Sequence, residues 1–417
     1  MKVLHLSTFD TDGGAARGAF WLHDALRAQG VDSTMMVGHK DSDNDSVVRP
    51  AGRLARLSVA MRGKMDGLPL RRYNKTDESF WSIGWIPAGI HRAVQQLAPD
   101  IVHLHWIGAG FLPLGELKRF ECPIVWTLRD MWSFTGGCHY TAGCERFRTG
   151  CGRCPQLRSQ SEGDLSRSIW TAKRDGWKGI DLSLVPVSGW LGDCARSSPL
   201  FAAHPIEIIP NGIDVGVFRP TDKLAARKAW NLPADRRILV YGAVNATQDR
   251  RKGFPELLKA LDILGQSETA RDLLVVVFGD LCREDIPANG IETRLVGYID
   301  ENERLSQLYS AADAAIMPSL QEAFGKTIVE AMACGTPVVA FASGGPLDIV
   351  EHRMDGYLAK PHCPGDLARG MSWCLDEIES GCDLGARARR KVESEFDIRI
   401  VAGRYRNLYE RLLRRAA

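Results

Sequence analysis

The stretch Pro318-Ser-Leu-Gln-Glu-Ala-Phe-Gly-Lys-Thr-Ile-Val-Glu-Ala-Met-Ala-Cys-Gly-Thr-Pro337 is the most informative part of this 417-residue chain. The apolar run before Pro318 predicts a buried strand, the next loop contains Glu322 and Gly325, and a helix is predicted from about Lys326. A helix that begins directly after a strand places backbone amides and a partial positive charge at the carboxyl edge of a sheet. The stretch therefore predicts an anion-binding loop, in which Gly325 lets a phosphate approach the backbone closely.

Short apolar segments alternate with amphipathic helical segments along the rest of the chain, which is typical of α/β proteins with parallel sheets. The predicted strands lie at residues 2–8, 31–37, 101–104, 124–127, 184–186, 238–241, 273–278, 294–296, 314–317 and 337–340. The pattern begins again after residue 206 and predicts two doubly wound domains, 1–207 and 208–395, that face each other across a crevice. A helix at 398–415 is predicted within a C-terminal segment, 396–417, whose packing back against the first domain is left open.

The charge of the chain is nearly balanced. Lys and Arg total 53 against 51 Asp and Glu, for a net charge of +2, whereas a dedicated nucleic-acid-binding protein is usually more basic. No apolar run approaches the ~18 residues of a membrane span, and residues 1–6 form a strand pattern instead of the apolar core of a signal peptide. We therefore expect a cytoplasmic protein that binds no nucleic acid, with contact at the inner face of the cell membrane as an open alternative.

A second source of positive charge is the loop 249–253 (Asp-Arg-Arg-Lys-Gly), which precedes a predicted helix. One or two of its cations would form charge-assisted hydrogen bonds with a diphosphate; the alternative is a solvated basic loop. Residues 344–346 (Gly-Gly-Pro) open another helix, and Glu330 lies one turn into its own helix, where a carboxylate can accept hydrogen bonds from sugar hydroxyls. Three helix N-termini in one domain together predict a phosphate-bearing ligand.

Glu322 and Glu330, with seven residues between them, resemble the E-x7-E signature of retaining glycosyltransferases of family 4, which have the GT-B fold of two Rossmann-like domains. The segment 127–140, Thr-Leu-Arg-Asp-Met-Trp-Ser-Phe-Thr-Gly-Gly-Cys-His-Tyr, resembles the colanic-acid and exopolysaccharide branch of that family. The resemblance covers nearly the whole chain and includes Gly13-Gly14, Ile209-Pro-Asn-Gly-Ile-Asp214, Arg251-Lys252-Gly253 and Gly344-Gly345. These motifs in this order are far more specific than a lone E-x7-E.

The resemblance implies a nucleotide-sugar donor that is held mainly by the second domain. It assigns the donor contacts to Gly14, Arg251, Lys252, Tyr298, Phe324, Gly325, Lys326 and Glu330. Lys252 and Arg251 would hold the diphosphate and Glu330 the ribose. The base would lie near Tyr298, and Glu322 near the transferred sugar. Such enzymes retain the anomeric configuration and stabilise the leaving diphosphate with cations and helix dipoles instead of a metal, so no catalytic cofactor is expected.

Two positions depart from the family pattern. Many members have Gly-Arg where this chain has Gly242-Ala243, and the choice between Arg250 and Arg251 as the replacement cation is open. Many members also have a histidine near the reacting sugar where this chain has Arg129. The second departure weakens an assignment of catalysis to that position and leaves a binding protein without turnover as an alternative.

Three further candidates lie in the first half of the chain. His105 follows a predicted strand, at the edge where parallel sheets place ligand sites, and a packed, uncharged ring is the alternative. Asp130 follows another strand and is expected either to accept a hydrogen bond from an acceptor hydroxyl or to cap the next turn. Gly14 either faces the donor phosphate or forms an ordinary turn. We expect His105, Asp130 and Glu322 to form the catalytic group.

One glycine-rich segment contains Cys138, Cys144, Cys151 and Cys154, with the spacing C-x5-C-x6-C-x2-C. Four thiolates at such spacings can close tetrahedrally around zinc, and because all four positions would then be filled, the zinc would be structural. Unliganded thiols and disulfides are the alternatives, and His139 is an alternative ligand.

Residues 49–75 contain eight Lys or Arg and a single acid, Asp66. Apolar residues recur at helical spacing within this segment at Leu54, Leu57, Met61, Met65 and Leu68. The segment predicts a basic amphipathic helix, which either contacts an anionic membrane surface or packs as an ordinary surface helix on the first domain.

These features and the resemblance together predict a retaining, metal-independent hexosyltransferase. It would move a sugar from a UDP- or GDP-sugar donor to a glycan or a polyprenyl-diphosphate-linked acceptor in surface polysaccharide biosynthesis. Two alternatives stay open: a GT-B sugar-nucleotide epimerase, which needs no acceptor, and a sugar-nucleotide-binding protein without turnover.

Overall fold

A computed structural model describes residues 1–51, 53–76, 80–243, 245–282, 285 and 290–416, without the side chains of 53–59, 243, 269 and 416. These residues form two compact units, Met1–Gly212 with Ile398–Ala417, and Ile213–Asp397. Each unit is an α/β structure built around one parallel sheet.

The first unit alternates strands and helices. Its elements are β1 (Lys2–Phe9), α1 (Gly13–Ala28), β2 (Asp32–His39), β3 (Val47–Val48), α2 (Arg53–Asp66), α3 (Ile90–Leu97), β4 (Ile101–Leu104), β5 (Ile124–Leu128), α4 (Leu165–Trp177), β6 (Leu182–Pro186) and α5 (Gly189–Arg196). Local sequence determines several helix starts, because the Asp164 carboxylate accepts hydrogen bonds from two amides of the first turn of α4, and the Ser188 hydroxyl caps α5 in the same way. In α1, the apolar residues Ala19, Leu22 and Leu26 lie on one face of the helix and are buried.

The first sheet has the strand order β3-β2-β1-β4-β5-β6, and all of its strand pairs are parallel. All residues of β4 and β5 are buried, as expected for strands covered by helices on both faces. The direction of winding reverses between β1 and β4. In doubly wound sheets, ligands bind outside the carboxyl ends of the strands at such a reversal.

The second unit repeats this plan. Its elements are α6 (Lys223–Ala229), β7 (Arg237–Ala243), α7 (Phe254–Gly265), β8 (Leu273–Gly279), β9 (Glu292–Gly297), α8 (Asn302–Ala311), β10 (Ala314–Met317), α9 (Lys326–Ala333), β11 (Val338–Phe341), α10 (Pro346–Ile349), β12 (Gly356–Ala359), α11 (Pro364–Glu379) and α12 (Leu384–Glu395). The sheet order is β12-β11-β10-β7-β8-β9, with parallel pairs throughout. Counted from β7, this is the order of the first sheet, and the winding reverses between β7 and β10.

The last helix, α13 (Ile398–Ala416), belongs to the first unit and packs on α1. Its apolar face joins Leu22 and Leu26 in one buried cluster. Two tyrosines of α13 also reach polar groups of the sheet, since the Tyr409 hydroxyl lies 2.6 Å from His103 Nδ1 and the Tyr405 hydroxyl lies 2.7 Å from Thr127 Oγ1. The helix therefore completes both the apolar and the polar core of this unit.

The α/β class with two doubly wound units, expected from the sequence, is confirmed. The ten predicted strands correspond to ten of the strands found, and the short β3 and β12 were missed because neither has an extended apolar run. The segment after residue 206 forms only isolated bridges, at Ile206 and Ile213. The helix expected after the glycine pair at 344–345 is a single turn, α10. Within the part of the chain that the structure describes, no helix has both the length and the apolar character needed to cross a membrane.

Candidate functional site

Three loops of the second unit come together at the carboxyl ends of β7, β10 and β11. The loop after β7 docks on the end of β10, where the Leu320 amide donates to the Arg251 carbonyl at 2.7 Å. Gly253 has a positive φ of 68°, and a Cβ at this position would lie 1.8 Å from the Pro318 carbonyl oxygen. Only glycine therefore allows the basic loop to approach β10 this closely.

This docking pairs Lys252 with Glu322, whose atoms Nζ and Oε2 are 3.3 Å apart. Burial alone would raise the pKa of Glu322, but the positive charges of Lys252 and Arg251 outweigh burial and hold that pKa below its usual value. Both side chains of the pair are partly exposed. The site thus contains an ionised carboxylate and an ammonium group that solvent and ligands can reach.

The two arginines of the basic loop already have carboxylate partners. Arg251 donates from Nε to Asp249 at 3.0 Å, and Arg250 pairs with Glu256 of α7. Because both arginines have such a partner, the contacts do not single out one of them as the cation that replaces the arginine of the family pattern. Arg251 is the one whose charge acts on Glu322.

The glycine pair before α10 supports the loop that contains Glu322. The Gly345 amide donates to the Glu322 carbonyl at 2.9 Å. A Cβ on Gly344, which has a φ of 74°, would lie 2.2 Å from that same oxygen, and a Cβ on Gly345 would lie 2.3 Å from the Phe324 carbonyl oxygen. Any side chain at either position would displace the loop, so these glycines shape the candidate site instead of opening a long helix.

Helix α9 begins at Lys326, directly after Gly325, which has a φ of 105° and no side-chain cap. Lys326 Nζ lies 3.0 Å from Glu330 Oε1, and the Glu330 carboxylate is almost fully buried. The Tyr309 hydroxyl is buried without a hydrogen-bond partner, and its pKa is raised by burial and by the Glu330 charge. The first turn of α9 thus presents amides beside a buried carboxylate.

Phe324 and Tyr298 of the second unit were also predicted to contact the nucleotide-sugar donor. Phe324 is buried and packs edge-on against Phe396. Tyr298 follows β9 and is 59% exposed, which leaves its ring accessible to a planar ligand. Gly14 lies in the first unit, in the first turn of α1, where a Cβ would meet no atom within 4 Å.

In the first unit, Asp130 has three donors for its carboxylate. The Trp132 amide donates to Oδ1 at 2.9 Å, and Trp106 Nε1 and His139 Nδ1 contact Oδ2 at 2.9 and 2.6 Å. Burial alone would raise the pKa of Asp130, but His139 and the hydrogen bonds hold it below its usual value. The carboxylate caps the turn, as one of the two expectations for Asp130 predicts, and it also contacts His139. A hydrogen bond to an acceptor hydroxyl stays a prediction.

The ring of His139 continues this chain to Ser82, with Nε2 lying 2.9 Å from Ser82 Oγ. The Ser82 hydroxyl accepts from the Ala109 amide and is fully buried. The Asp-His-Ser order resembles a nucleophile relay, but a buried serine cannot reach a substrate. The sequence analysis missed this relay, because Ser82 is distant from the other two residues in the chain.

His105 is buried, and both of its ring nitrogens have partners. Nε2 lies 2.8 Å from His5 Nδ1, and Nδ1 lies 3.3 Å from Arg129 Nη2. Because a guanidinium only donates, His105 Nδ1 must accept and the Nε2 proton is then directed at His5. Burial is the largest cause that lowers the pKa of His105 well below its usual value, and nearby His103 and Arg129 add to it. His105 is therefore a neutral ring that positions Arg129.

Arg129 lies at the end of β5, with Nη1 donating to Asn211 and packed beside Gly18. Its Nε has no hydrogen-bond partner, and no carboxylate within the described residues forms an ion pair with it. Burial lowers its pKa to about 10, so the group stays charged near neutral pH. An unpaired guanidinium at a ligand-binding edge favours an anionic ligand.

Within the described residues, the nitrogens of His5, His103 and His105 form the one group of three or more metal-type ligand atoms that lie within 4.8 Å of each other. Both nitrogens of His103 are engaged, by Tyr409 and Thr127, and His105 is engaged as described. The adjacent Arg129 guanidinium would repel a cation. The trio is therefore a neutral hydrogen-bonded core.

The cysteine segment lies between β5 and α4, where Cys138, Cys144, Cys151 and Cys154 line one cavity. None of these four cysteines is in a disulfide.

The basic segment forms helix α2, whose first half, including Leu54 and Leu57, has no described side chains. Of the remaining predicted apolar residues, Met61 and Met65 lie in its second half, and Leu68 follows the end of the helix. Met61, Met65 and Leu68 are exposed, whereas Arg62 is buried and donates to the Gly110 carbonyl at 3.3 Å. The described apolar residues thus face outward instead of packing on the first unit.

Comparison with known proteins identifies the family. The model of Glycosyltransferase Family 4 matches residues 12–217, and the model of Glycosyl transferases group 1 matches residues 222–391. The chain is 30% identical over 306 residues to a D-inositol 3-phosphate glycosyltransferase of Paenarthrobacter aurescens. The match covers 71% of this chain and 69% of that protein. The chain therefore belongs to the family 4 glycosyltransferases.

Other relatives and solved structures agree with this assignment. D-inositol 3-phosphate glycosyltransferase 2 of Catenulispora acidiphila is 33% identical over 204 residues, so the match spans about half of each protein, 45% of this chain and 47% of the relative. The colanic acid biosynthesis glycosyl transferase WcaC of Escherichia coli is 23% identical over 84% of this chain and 85% of its own.

Two solved structures share the fold. Sucrose-phosphate synthase of Thermosynechococcus elongatus superposes with a TM-score of 0.69, at 20% identity over 99% of both chains. HepE of Anabaena, in complex with UDP-glucose, superposes with a TM-score of 0.66, at 17% identity over 98% of this chain and 99% of its own. The predicted GT-B fold is thereby confirmed.

Proposed function

We propose that this glycosyltransferase moves a hexose, with retention of configuration and without a catalytic metal, from a UDP- or GDP-sugar to a glycan or lipid-linked oligosaccharide in surface polysaccharide biosynthesis. The observation that carries the proposal is the Lys252–Glu322 pair, 3.3 Å apart at the meeting point of three loops. The relative named for colanic acid biosynthesis and the solved complex of HepE with UDP-glucose support the acceptor and donor classes.

In this proposal the second unit binds the donor. Lys252 and Arg251 contact the diphosphate, together with amides at the start of α9, and stabilise the charge that develops as the diphosphate leaves. Glu330 accepts hydrogen bonds from the ribose, which requires it to exchange its contact with Lys326. Glu322 lies beside the transferred sugar, where its contact with Lys252 keeps it ionised.

The first unit binds the acceptor in this proposal, and Arg129 replaces the family histidine with a fixed positive charge. His105 and Asn211 hold the guanidinium without neutralising it, so a phosphate or diphosphate on the acceptor would complete its charge. D-inositol 3-phosphate, for which several relatives are named, carries such a phosphate. A polyprenyl-diphosphate carrier, the other acceptor that we propose, would supply the same charge. His105 and Asp130 then act by positioning Arg129 and the loop around His139.

A lipid-linked acceptor would make contact with a membrane useful. The exposed Met61, Met65 and Leu68 of the basic segment are the surface that we assign to that contact. Liposome flotation of the chain and of a Met61→Ser/Met65→Ser variant tests the assignment: loss of binding in the variant supports it, and equal binding removes it.

Calorimetric titration with UDP and GDP tests the donor site. We expect one nucleotide to bind, and Lys252→Ala and Glu330→Ala each to weaken its binding at least tenfold, since each removes a charge-assisted contact. The matched control is Lys228→Ala, which removes an exposed lysine of α6 and should leave the affinity unchanged. Unchanged affinity in both site variants would show that the nucleotide binds elsewhere.

Product analysis separates the activity from its two alternatives. With donor and a phosphorylated acceptor, NMR of the product should show the anomeric configuration of the donor, and EDTA should not reduce the rate. Release of an epimer or free sugar without any acceptor would favour the epimerase, and binding without turnover would favour the binding protein.

The role of Arg129 is tested by comparing acceptors with and without a phosphate. Arg129→Gln should raise KM for the phosphorylated acceptor alone, whereas Arg129→Lys should restore part of the preference because the charge returns. Equal losses on both acceptors would show that Arg129 has no role in recognising phosphate.

A further inference from the structure

We propose that Cys138, Cys144, Cys151 and Cys154 bind a structural zinc ion, a site that is separate from glycosyl transfer. The four thiols line one cavity of about 20 Å³, enough for a single ion or water-sized particle. Cys138 and Cys154 are buried, and Cys144 and Cys151 are partly exposed. A tetrahedral ion surrounded by four thiolates has no open position, so the role is structural.

The backbone of this segment is held in an unusual conformation. The four consecutive residues Gly150, Cys151, Gly152 and Arg153 have φ values of 98°, 60°, 96° and 43°. Two of them are not glycine, and residues with side chains adopt this left-handed region only where surrounding structure enforces it. The segment has neither a strand nor an α-helix to enforce it. Hydrogen bonds from the Gly152 and Cys154 amides to Ser166 and Asp164 hold it in part, and coordination of one ion by Cys151 and Cys154 would add a further constraint.

Backbone amides are directed at the sulfurs. The amides of Gln156 and Leu157, two and three residues after Cys154, both donate to the Cys154 sulfur. The Gly136 amide donates to the Cys151 sulfur. Burial raises the pKa of both thiols, and these amide donors oppose that effect by favouring the thiolate, the form that a metal binds.

A buried lysine lies beside the cavity, and burial lowers its pKa to about 7. Lys173 of α4 is fully buried, donates to the Thr135 carbonyl at 3.0 Å, and has no ion pair with a carboxylate among the residues that the structure describes. Its strongest electrostatic neighbours are Cys138 and Cys151, ahead of Asp130. A zinc ion with four thiolates has a net charge of −2. That charge would balance the buried ammonium, which is otherwise costly to desolvate.

Metal binding requires the sulfurs to move closer together. No three of them lie within 4.8 Å of one another, whereas Zn–S bonds of about 2.3 Å in a tetrahedron hold sulfurs roughly 3.8 Å apart. Rotation of the four side chains into the cavity that they share would supply this movement. His139 is not available as a substitute ligand, because its nitrogens contact Asp130 and Ser82.

Metal analysis of the full chain, purified without added zinc, tests the proposal. We expect about one zinc per chain in the protein and in the control Cys194→Ser, whose cysteine does not line the cavity. We expect less than about a tenth of that in Cys151→Ser/Cys154→Ser. A chain that contains no zinc, or whose four cysteines prove to be disulfide-bonded by mass spectrometry, would overturn the proposal.

A second measurement does not depend on folding of the variant. Zinc is removed from the intact protein with a chelator under reducing conditions, and Co²⁺ is added. Intense thiolate-to-cobalt charge-transfer bands that saturate at one equivalent support a site with four sulfurs. Weak bands typical of nitrogen or oxygen ligands, or no bands, contradict it.

Discussion

Acid should unfold the first unit at a pH where the second unit is still stable, because four histidines are buried without charge in the first unit. His5, His23, His103 and His105 are all fully or almost fully buried. Burial is the main cause that lowers the pKa of each, and neighbouring histidines or arginines add to it. Protonation is therefore much easier after unfolding.

The sign and size of the effect follow from proton linkage. Each folded-state pKa lies below the unfolded value of about 6.5, so the unfolded chain binds more protons below that pH, and stability falls as the pH falls. The pKa of His23 is lowered to about 4, so this residue alone loses about 3 kcal/mol of stabilisation between pH 7 and pH 4. His5, His103 and His105, whose pKa values burial also lowers, add to this loss in the same direction.

Unfolding in urea at pH 7, 6 and 5, followed by near-ultraviolet circular dichroism, measures this loss. Carboxylates with lowered pKa values, such as Asp130 and Glu322, lose their stabilisation only below about pH 4.5. Burial raises the pKa of Asp24 and Asp66, which therefore oppose the loss in the interval from pH 6.5 to 4.5, so a net fall of stability there reports the more numerous histidines. The variant His23→Gln keeps a side chain that can bond Ser33 or Ser46 and should reduce the pH slope by about 1 kcal/mol per pH unit near pH 5. A free energy of unfolding that is equal at pH 7 and pH 5, or an unchanged slope in the variant, would refute the reasoning.

Two further predictions concern the second unit. Gly345→Ala should weaken nucleotide binding, measured by calorimetry, at least tenfold, because the new Cβ would lie 2.3 Å from the Phe324 carbonyl oxygen. The control Gly365→Ala, whose Cβ would have no atom within 4 Å, should bind the nucleotide normally. Similar affinities of the two variants would contradict this account of the loop. Arg389→Met should lower the free energy of unfolding by about 2–4 kcal/mol in urea, because it leaves three backbone carbonyls without their donor. The exposed Arg390→Met should cost little, and equal losses would show that these bonds contribute nothing specific.

The neutral histidine core and the unpaired Arg129 are parts of one arrangement. Because His105 must accept from Arg129, it cannot also be protonated, and the positive charge stays on the guanidinium. A histidine at position 129 would carry a pH-dependent charge, whereas arginine carries a constant one. This difference gives a physical reason why the departure from the family pattern is compatible with recognition of an anion.

The fold class and the positions of the candidate ligand loops could be predicted from local sequence patterns. Apolar strands such as 273–278 alternate with amphipathic helices, and this periodicity is a local property of the chain that requires one architecture, a parallel sheet covered on both faces. The motif around Glu322 and Gly325 was recognisable for the same reason, since a strand, a loop and a helix start are contiguous in sequence.

Which of these side chains contact one another could not be predicted from the sequence. Lys252 and Glu322 are 70 residues apart, and Tyr409 reaches His103 across 306 residues. Such pairs depend on strand order and on the return of the last helix to the first unit, neither of which has a local signature in the chain. The burial of the methionines of α2 was left open in the sequence for the same reason: periodicity shows that a helix has an apolar face, but only the packed structure shows whether another element covers it.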